Sequence, residues 1–331
     1  LGAEVYSPLL IETVDGNPAV YMLQVKKQDK QLGYMLVGAT KFMSPVIFLS
    51  TGELPTSVLE SLKTKVQSEL PAGQKVISHR LLFGGVHNLG VEFITNDSKN
   101  KSIIYTLGPN VELKQTFSKL SLDENYKKRA IKKWDFYLGG NSIEKIVSPM
   151  ATIISKELPV RAYDQRNCSM PNSGCGPASG AMVLNYWDEK RGYDNLQYNS
   201  DYTQGIQLMN HLISDMGTDA TGTTAAKWCS GIEKHANNCS GYSFDSWYKN
   251  WHESYKEIFW SDLKNEINAD RPMGWMFLIG GYPYSWHHVA VLGYFENLDY
   301  GDRMFKDAHY SNYNWVDYDT ASDFHIMFVR P

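Results

Sequence analysis

Cys175 stands between Gly174 and Gly176, with Pro177 close behind and an apolar run following it: Ala178, Ala181, Met182, Leu184 and Tyr186. This spacing predicts a glycine turn leading into a helix. Pro177 suits its first position, where a missing N–H costs nothing. A sulfur at a helix N-terminus meets free backbone N–H groups and the positive end of the helix dipole. Both favour thiolate over thiol, so the reading predicts a lowered pKa and a usable nucleophile. The same N–H groups can hold an oxyanion formed beside the sulfur. A lone cysteine is more often a small core residue. A nucleophile also needs a base and a group that orients the base.

Both have candidates downstream. Residues 285–298, SWHHVAVLGYFENL, carry a strand signal that opens on His287 and His288 and reaches Gly293. Side chains alternate along a strand, so only one of the two imidazoles can face Cys175. Arg303 to Lys306 form a second, short strand expected to pair with the first across the polar turn Glu296 to Asp302. Asp307 would then sit at a strand end near the histidines, where a carboxylate can fix an imidazole tautomer and stabilise the imidazolium. Gln165 lies ten positions before the cysteine (175 minus 165), and its amide can donate a second hydrogen bond to an oxyanion. Cys168 is a rival nucleophile, but no helix follows it to favour its thiolate. No histidine, cysteine or carboxylate spacing completes a metal site, and no cofactor motif is present.

The segments LPVRAYDQ, GCGPASGAMVLNYW, HHVAVLGY and FKDAHY, in that order, resemble the papain-like cysteine peptidases. Within them the chain is similar to the branch of bacteriocin-leader-processing peptidase-like proteins and, more distantly, to streptopain. LMNHLISDMGTDATGTT, GIEKHANNCSGYSF and WSDLKNEINADRPMGWMFLIGG resemble the same branch, so the likeness spans residues 158–331. The resemblance implies an α+β papain-like domain, helical in one part and antiparallel sheet in the other, and a thiol peptidase activity on peptide or protein substrates. In that pattern the catalytic histidine precedes a glycine by six residues. His287 fits, since 293 minus 287 is six, and His288 does not. Cys175, His287, Asp307 and Gln165 then carry over as nucleophile, base, orienter and oxyanion donor. Trp286, Tyr284 and Trp315 are expected in the cleft walls. Two rival functions use the same residues: acyl or peptidyl transfer of the transglutaminase-like or phytochelatin-synthase-like type, and a non-catalytic papain-like binding shell.

Ahead of this domain, residues 1–120 alternate strand and helix signals. AVYMLQVKK and GYMLVGAT read as a hairpin, SPVIFLST as a third strand, and LPTSVLESLKTKVQSEL as a helix. KVISHRLLFG, LGVEFITN and SIIYTLGP read as three more strands. This is an α+β module on an antiparallel sheet. The segment GYMLVGATKFMSPVIFLSTGELP is similar to the propeptide module of streptopain-like enzymes, which implies a propeptide-like role beside that of an accessory domain. Residues 121–157 form a connector. Its helix has an apolar stripe of Tyr126, Ala130 and Trp134, a lysine-rich solvated face, a capping box of Ser121 and Glu124, and a close at Gly139 and Gly140. His79 and His87 read as structural.

The 331 residues are 43% hydrophobic and carry a net charge of -4, which offers nothing to nucleic acid. No apolar run is long enough for a transmembrane helix. The 21 Tyr and 9 Trp, with many Asn and Ser, suggest an extracellular or cell-surface protein acting as a monomer. The start at Leu1 is consistent with a removed signal peptide. Cys229 and Cys239, ten apart, could close a disulfide in such a compartment. Asn96, Asn100, Asn167 and Asn238 each open an Asn-x-Ser triplet.

Overall fold

The computed structural model divides into two units, Leu1–Ser142 and Ile143–Pro331. It describes residues 3–86, 89–96, 102–107, 122, 124–138, 152–197, 204–239, 241–299 and 301–331. His87, Asn100, Ser121, Gly139 and Gly140 and the side chain of Cys239 lie outside the described residues.

In the first unit the strands are β1 (Glu4–Glu12), β2 (Pro18–Lys27), β3 (Lys30–Gly38), β4 (Val46–Ser50), β5 (Val76–Phe83), β6 (Leu89–Thr95) and β7 (Ser102–Leu107). They lie in the order β7-β6-β5-β1-β2-β3-β4. The pairings are antiparallel except β1 with β5, which run parallel at Glu12 and Leu82, so the expected all-antiparallel sheet is interrupted once. β1 has no counterpart in the sequence reading because Pro8 cannot donate to a ladder. The structure accommodates it with a register shift between Tyr6 and Leu9. Helix α1 (Leu59–Glu69) buries Leu62 and Val66. Helix α2 (Glu124–Leu138) also belongs to this unit. Its apolar stripe is buried at Tyr126 and Ala130. The Tyr126 hydroxyl accepts from the Ser44 backbone N–H at 2.8 Å, and Trp134 Nε1 donates to the Met43 carbonyl at 2.7 Å. Lys133 is buried, so the lysine face is not wholly solvated.

The second unit packs helices against an antiparallel sheet. Its strands are β8 (Ile153–Glu157), β9 (Asp245–Asn250), β10 (Met273–Tyr282), β11 (His287–Asn297), β12 (Asp302–His309), β13 (Asn312–Asp317) and β14 (Ser322–Arg330), with order β13-β12-β11-β10-β14-β9. β11 changes partner along one edge: residues 287–291 pair with β10 and residues 293–297 with β8. The change falls at Gly293, where a Cβ would stand 2.9 Å from the Lys156 carbonyl oxygen and 3.1 Å from the Glu157 side chain. Only glycine lets the two backbones approach there, which gives the glycine six residues after His287 a physical reason.

Helix α3 (Cys175–Arg191) is buried without interruption from Gly176 to Asp188, the mark of a central helix. It ends at Gly192, whose φ of 75° is the left-handed cap that glycine accepts most readily. Helices α4 (Ile206–Asp215) and α5 (Ala225–Cys239) flank it. Gly180 lets them close in: a Cβ there would sit 2.7 Å from Met216 and 3.0 Å from Ile232. Helix α6 (Lys256–Asn268) leads into β10 through the turn at residues 269–272. Trp275 anchors the sheet core, stacked on Phe324 with ring centroids 4.7 Å apart. Among the described residues, no helix is long and apolar enough to cross a membrane.

Candidate active site

The helix begins at Cys175 itself, so Pro177 takes its third position and not its first. The physical argument survives, because the first four N–H groups of a helix all lack intrahelical partners. Gly174 is fixed by sterics: a Cβ there would meet the Cys168 sulfur at 2.5 Å and the Met170 carbonyl at 2.8 Å. The loop that carries Gln165 and Cys168 therefore lies directly against the turn before Cys175. Gln165 is buried, and its Nε2 donates to the Pro171 carbonyl at 2.8 Å. That bond uses one of the two N–H donors of the amide.

The backbone N–H of His288 acts electrostatically on the Cys175 sulfur, so the helix start and the start of β11 come together near it. Burial pushes the Cys175 thiol up from its ordinary value, while the N–H groups of His288, Gly176 and Cys175 pull it down. Desolvation prevails, and the lowered pKa expected from the helix terminus is corrected: Cys175 is half-buried, and loss of water around the sulfur disfavours the thiolate. Cys168 is buried and its thiol is likewise pushed up by burial. Cys229 is also a free thiol.

The two histidines do diverge as strand alternation requires. His288 is buried, and its Nε2 donates to the Thr223 carbonyl at 2.7 Å. Thr223 in turn lies against the helix start, since a Cβ on Gly176 would sit 2.7 Å from its side chain. Trp228 Nε1 donates to the Gly176 carbonyl at 3.1 Å and completes this wall. The His287 ring takes the opposite face. It stacks on Tyr310 (centroids 5.7 Å apart) and meets Tyr284 at 5.5 Å and His309 at 5.2 Å. Its Nε2 is buried and has no hydrogen-bond partner among the described residues. Burial, with His309 and His288 nearby, drives the His287 imidazole well below its ordinary value.

Asp307 is not at a strand end. β12 continues to His309, and Asp307 pairs with Val291 inside the ladder. Its carboxylate is fully buried and has three neighbours. Tyr284 Oη donates to Oδ2 at 2.5 Å, Asn314 Nδ2 donates to Oδ1 at 2.8 Å, and His309 Nδ1 lies 3.3 Å from Oδ1. The structure therefore places Asp307 and His287 on one face of the sheet with the His309 ring contacting both.

Sequence reading missed Tyr310, His309 and Asn314. Tyr310 touches the two ends of the site: its ring covers His287, and its phenol is pushed up by burial and then by the Cys175 sulfur. Arg166 lies over its ring at 5.6 Å. Tyr310 and Ser311 have φ of 48° and 61°, which marks a tight hairpin turn between β12 and β13. Such turns are recognised by Asn-Gly or Asp-Gly, and Tyr-Ser gives no such signal. Among the expected wall residues, Tyr284 is part of the Asp307 cluster. Trp286 is partly exposed and donates from Nε1 to the Thr221 carbonyl at 2.8 Å. Trp315 pairs with Lys306, so it points to the sheet face opposite Asp307.

The His288 ring predicts a pH effect. Burial and the nearby His325 lower its pKa to about 4, although the bond to Thr223 opposes them. The unfolded state, with a value of about 6.5, binds the proton first, so stability is complete above about pH 6.5 and declines as pH falls toward 4. The full effect is roughly 3 kcal/mol. Urea midpoints across this window should fall in the wild type and fall less in His288→Gln, which keeps a donor for Thr223. Equal slopes in both proteins would show that His288 does not carry the effect.

A model of the Peptidase_C39 like family matches residues 157–328, which is 172 of the 331 residues. No curated protein matches the chain. Among solved structures, a fragment of Prevotella intermedia prointerpain A, carried as a cysteine-to-alanine mutant, is similar at 8% identity. It has a TM-score of 0.43, with 97% of each chain covered.

Proposed function

The chain belongs to the Peptidase_C39 like family, within the papain-like cysteine peptidases, and from that premise we propose that it hydrolyses peptide bonds by covalent thiol catalysis. Cys175 attacks the scissile carbonyl carbon, and its S–H proton passes to His287. The enclosure of Nε2 leaves Nδ1 to take that proton. The S–C bond forms, the C–N bond breaks, and the imidazolium returns the proton to the departing amine. Water then gives a proton to the same imidazole and attacks the thioester. The S–C bond breaks and the thiol is restored. The oxyanion of each step is held by the Cys175 backbone N–H and by the second N–H of Gln165, the first being held by Pro171.

One arrangement carries this reading: the His288 backbone N–H acts on the Cys175 sulfur, and Tyr310 stacks on the neighbouring His287 ring while sensing the same sulfur. With the thiol pushed up and the imidazole pushed down, the resting pair is neutral, and charge separates only as the carbonyl is attacked. Water and an added amine would compete for the same thioester. Product masses from a peptide substrate in ¹⁸O-labelled water, with and without a primary amine, separate the two. The proposal expects one ¹⁸O in the new carboxylate and little amine adduct; a dominant amine adduct would establish a transferase instead.

A further inference from the structure

Asp307 and His287 share a face of the sheet, yet every contact described for the Asp307 carboxylate goes elsewhere. Oδ2 is held by Tyr284 at 2.5 Å, and Oδ1 by Asn314 at 2.8 Å and His309 at 3.3 Å. The buried Nε2 of His287 has no partner among the described residues. The His309 ring contacts both groups, with its Nδ1 on Asp307 and its ring 5.2 Å from that of His287, edge to face at 80°. Register explains the placement. Ala290 pairs with Ala308 and Val291 with Asp307, so along one face of β12 His309 lies two residues nearer to the start of β11 than Asp307 does. His309 Nδ1 lies 3.3 Å from Asp307 Oδ1 and 3.2 Å from the Asn314 amide nitrogen; in the tautomer whose Nδ1–H donates to Oδ1, Nε2 is a lone pair. His287, with Nδ1 reserved for the thiol proton, carries its own proton on Nε2.

Resting on the peptidase reading above, we propose that His309 is the positioning residue for His287 and that Asp307 acts through it. The chain would run from Cys175 to His287, to His309, to Asp307. The Asp307 charge polarises the His309 Nδ1–H bond, which strengthens the Nε2 lone pair of a ring packed edge to face on His287. When His287 accepts the thiol proton, that lone pair stabilises the imidazolium and fixes the ring plane. Tyr284 and Asn314 hold the carboxylate, and Tyr310 closes the other side of the His287 ring. The titratable groups facing His309 are then Asp307, His287, Tyr284, Tyr310 and Asp164.

A double-mutant cycle tests this. kcat/KM is measured across pH for the wild type, His309→Phe, Asp307→Asn and the double variant, with melting temperatures alongside. His309→Phe keeps a ring of similar size and removes both nitrogens. Each single variant should lose about 10²-fold in kcat with KM little changed. The double should lose no more than either single, and all three variants should share one displaced acid limb. If instead the two losses multiply, or if His309→Phe keeps the wild-type profile while Asp307→Asn does not, Asp307 acts without His309 and the proposal fails. Should the variants not fold, imidazole ¹⁵N spectra of the wild type decide. The proposal requires the Nδ1–H tautomer at His309 and the Nε2–H tautomer at His287, and the reverse tautomer at either ring overturns it. An inactive Cys175→Ala with a multiplicative cycle would reject the His309 role alone, whereas an active Cys175→Ala would reject the peptidase reading itself.

Discussion

Cys175→Ala is expected to lower kcat/KM on a peptide substrate by about 10⁴-fold or more, because nucleophile and base act as one unit. Cys168→Ala should stay within a few-fold of the wild type. The two cysteines flank the same turn, and Gly174 packs against the Cys168 sulfur, but their settings differ. The Cys175 sulfur stands at a helix start, where the backbone N–H groups of His288 and Gly176 act on it. Cys168 is buried in the loop that follows Gln165. The expected pH behaviour follows from the direction of the shifts. Burial holds the Cys175 thiol above its ordinary value and the His287 imidazole well below its own. Iodoacetamide, which needs a thiolate, should therefore react slowly with Cys175 at neutral pH and faster as pH rises. A substrate carbonyl needs no standing thiolate, because His287 removes the proton during attack. Rates of inactivation and of peptide cleavage, measured over the same pH range, check this. Parallel profiles would mean that a thiolate exists at rest and that burial does not dominate.

His287→Ala should cost several orders of magnitude in turnover with the fold intact, while His288→Ala should cost mainly stability. The two rings serve different structures. His287 lies in the cluster of Tyr284, His309 and Tyr310, and its Nε2 awaits a partner. His288 ties the Thr223 loop to the sheet through a 2.7 Å hydrogen bond, and the loss of that buried bond costs about 1–3 kcal/mol. His288 still contributes to the site through its backbone, since its N–H reaches the Cys175 sulfur whatever the side chain is. Steady-state kinetics and urea midpoints on both variants separate the roles. An inactive but stable His288→Ala beside an active His287→Ala would reverse the assignment.

Much of this arrangement was legible in the sequence because it depends on local signals. The glycine-flanked turn, the apolar helix after Cys175 and the two histidines opening a strand are patterns of spacing, and strand alternation separated the two rings. What was not legible depends on partners distant in sequence. The six-residue interval from His287 to Gly293 matched a pattern, but its reason emerged only when β8 met β11 there. The first strand of the N-terminal unit escaped notice because Pro8 argues against a ladder unless a bulge absorbs it. Asp307 was read as a strand end, while the strand runs on by two residues and brings His309 onto the same face. Tyr310 was invisible because a tyrosine at positive φ departs from the usual chemistry of a hairpin turn. The thiol pKa was misjudged in sign because a helix terminus can be read from sequence and the desolvation of a half-buried sulfur cannot.

The central claim, that Cys175 is the nucleophile of a peptidase, is tested most directly by intact-mass analysis and peptide mapping after reaction with a peptidyl vinyl sulfone. The full chain should gain one equivalent, located on Cys175, and peptidase activity should fall in proportion to the labelled fraction. An adduct on Cys168 or Cys229, or complete labelling of Cys175 with activity unchanged, would contradict it.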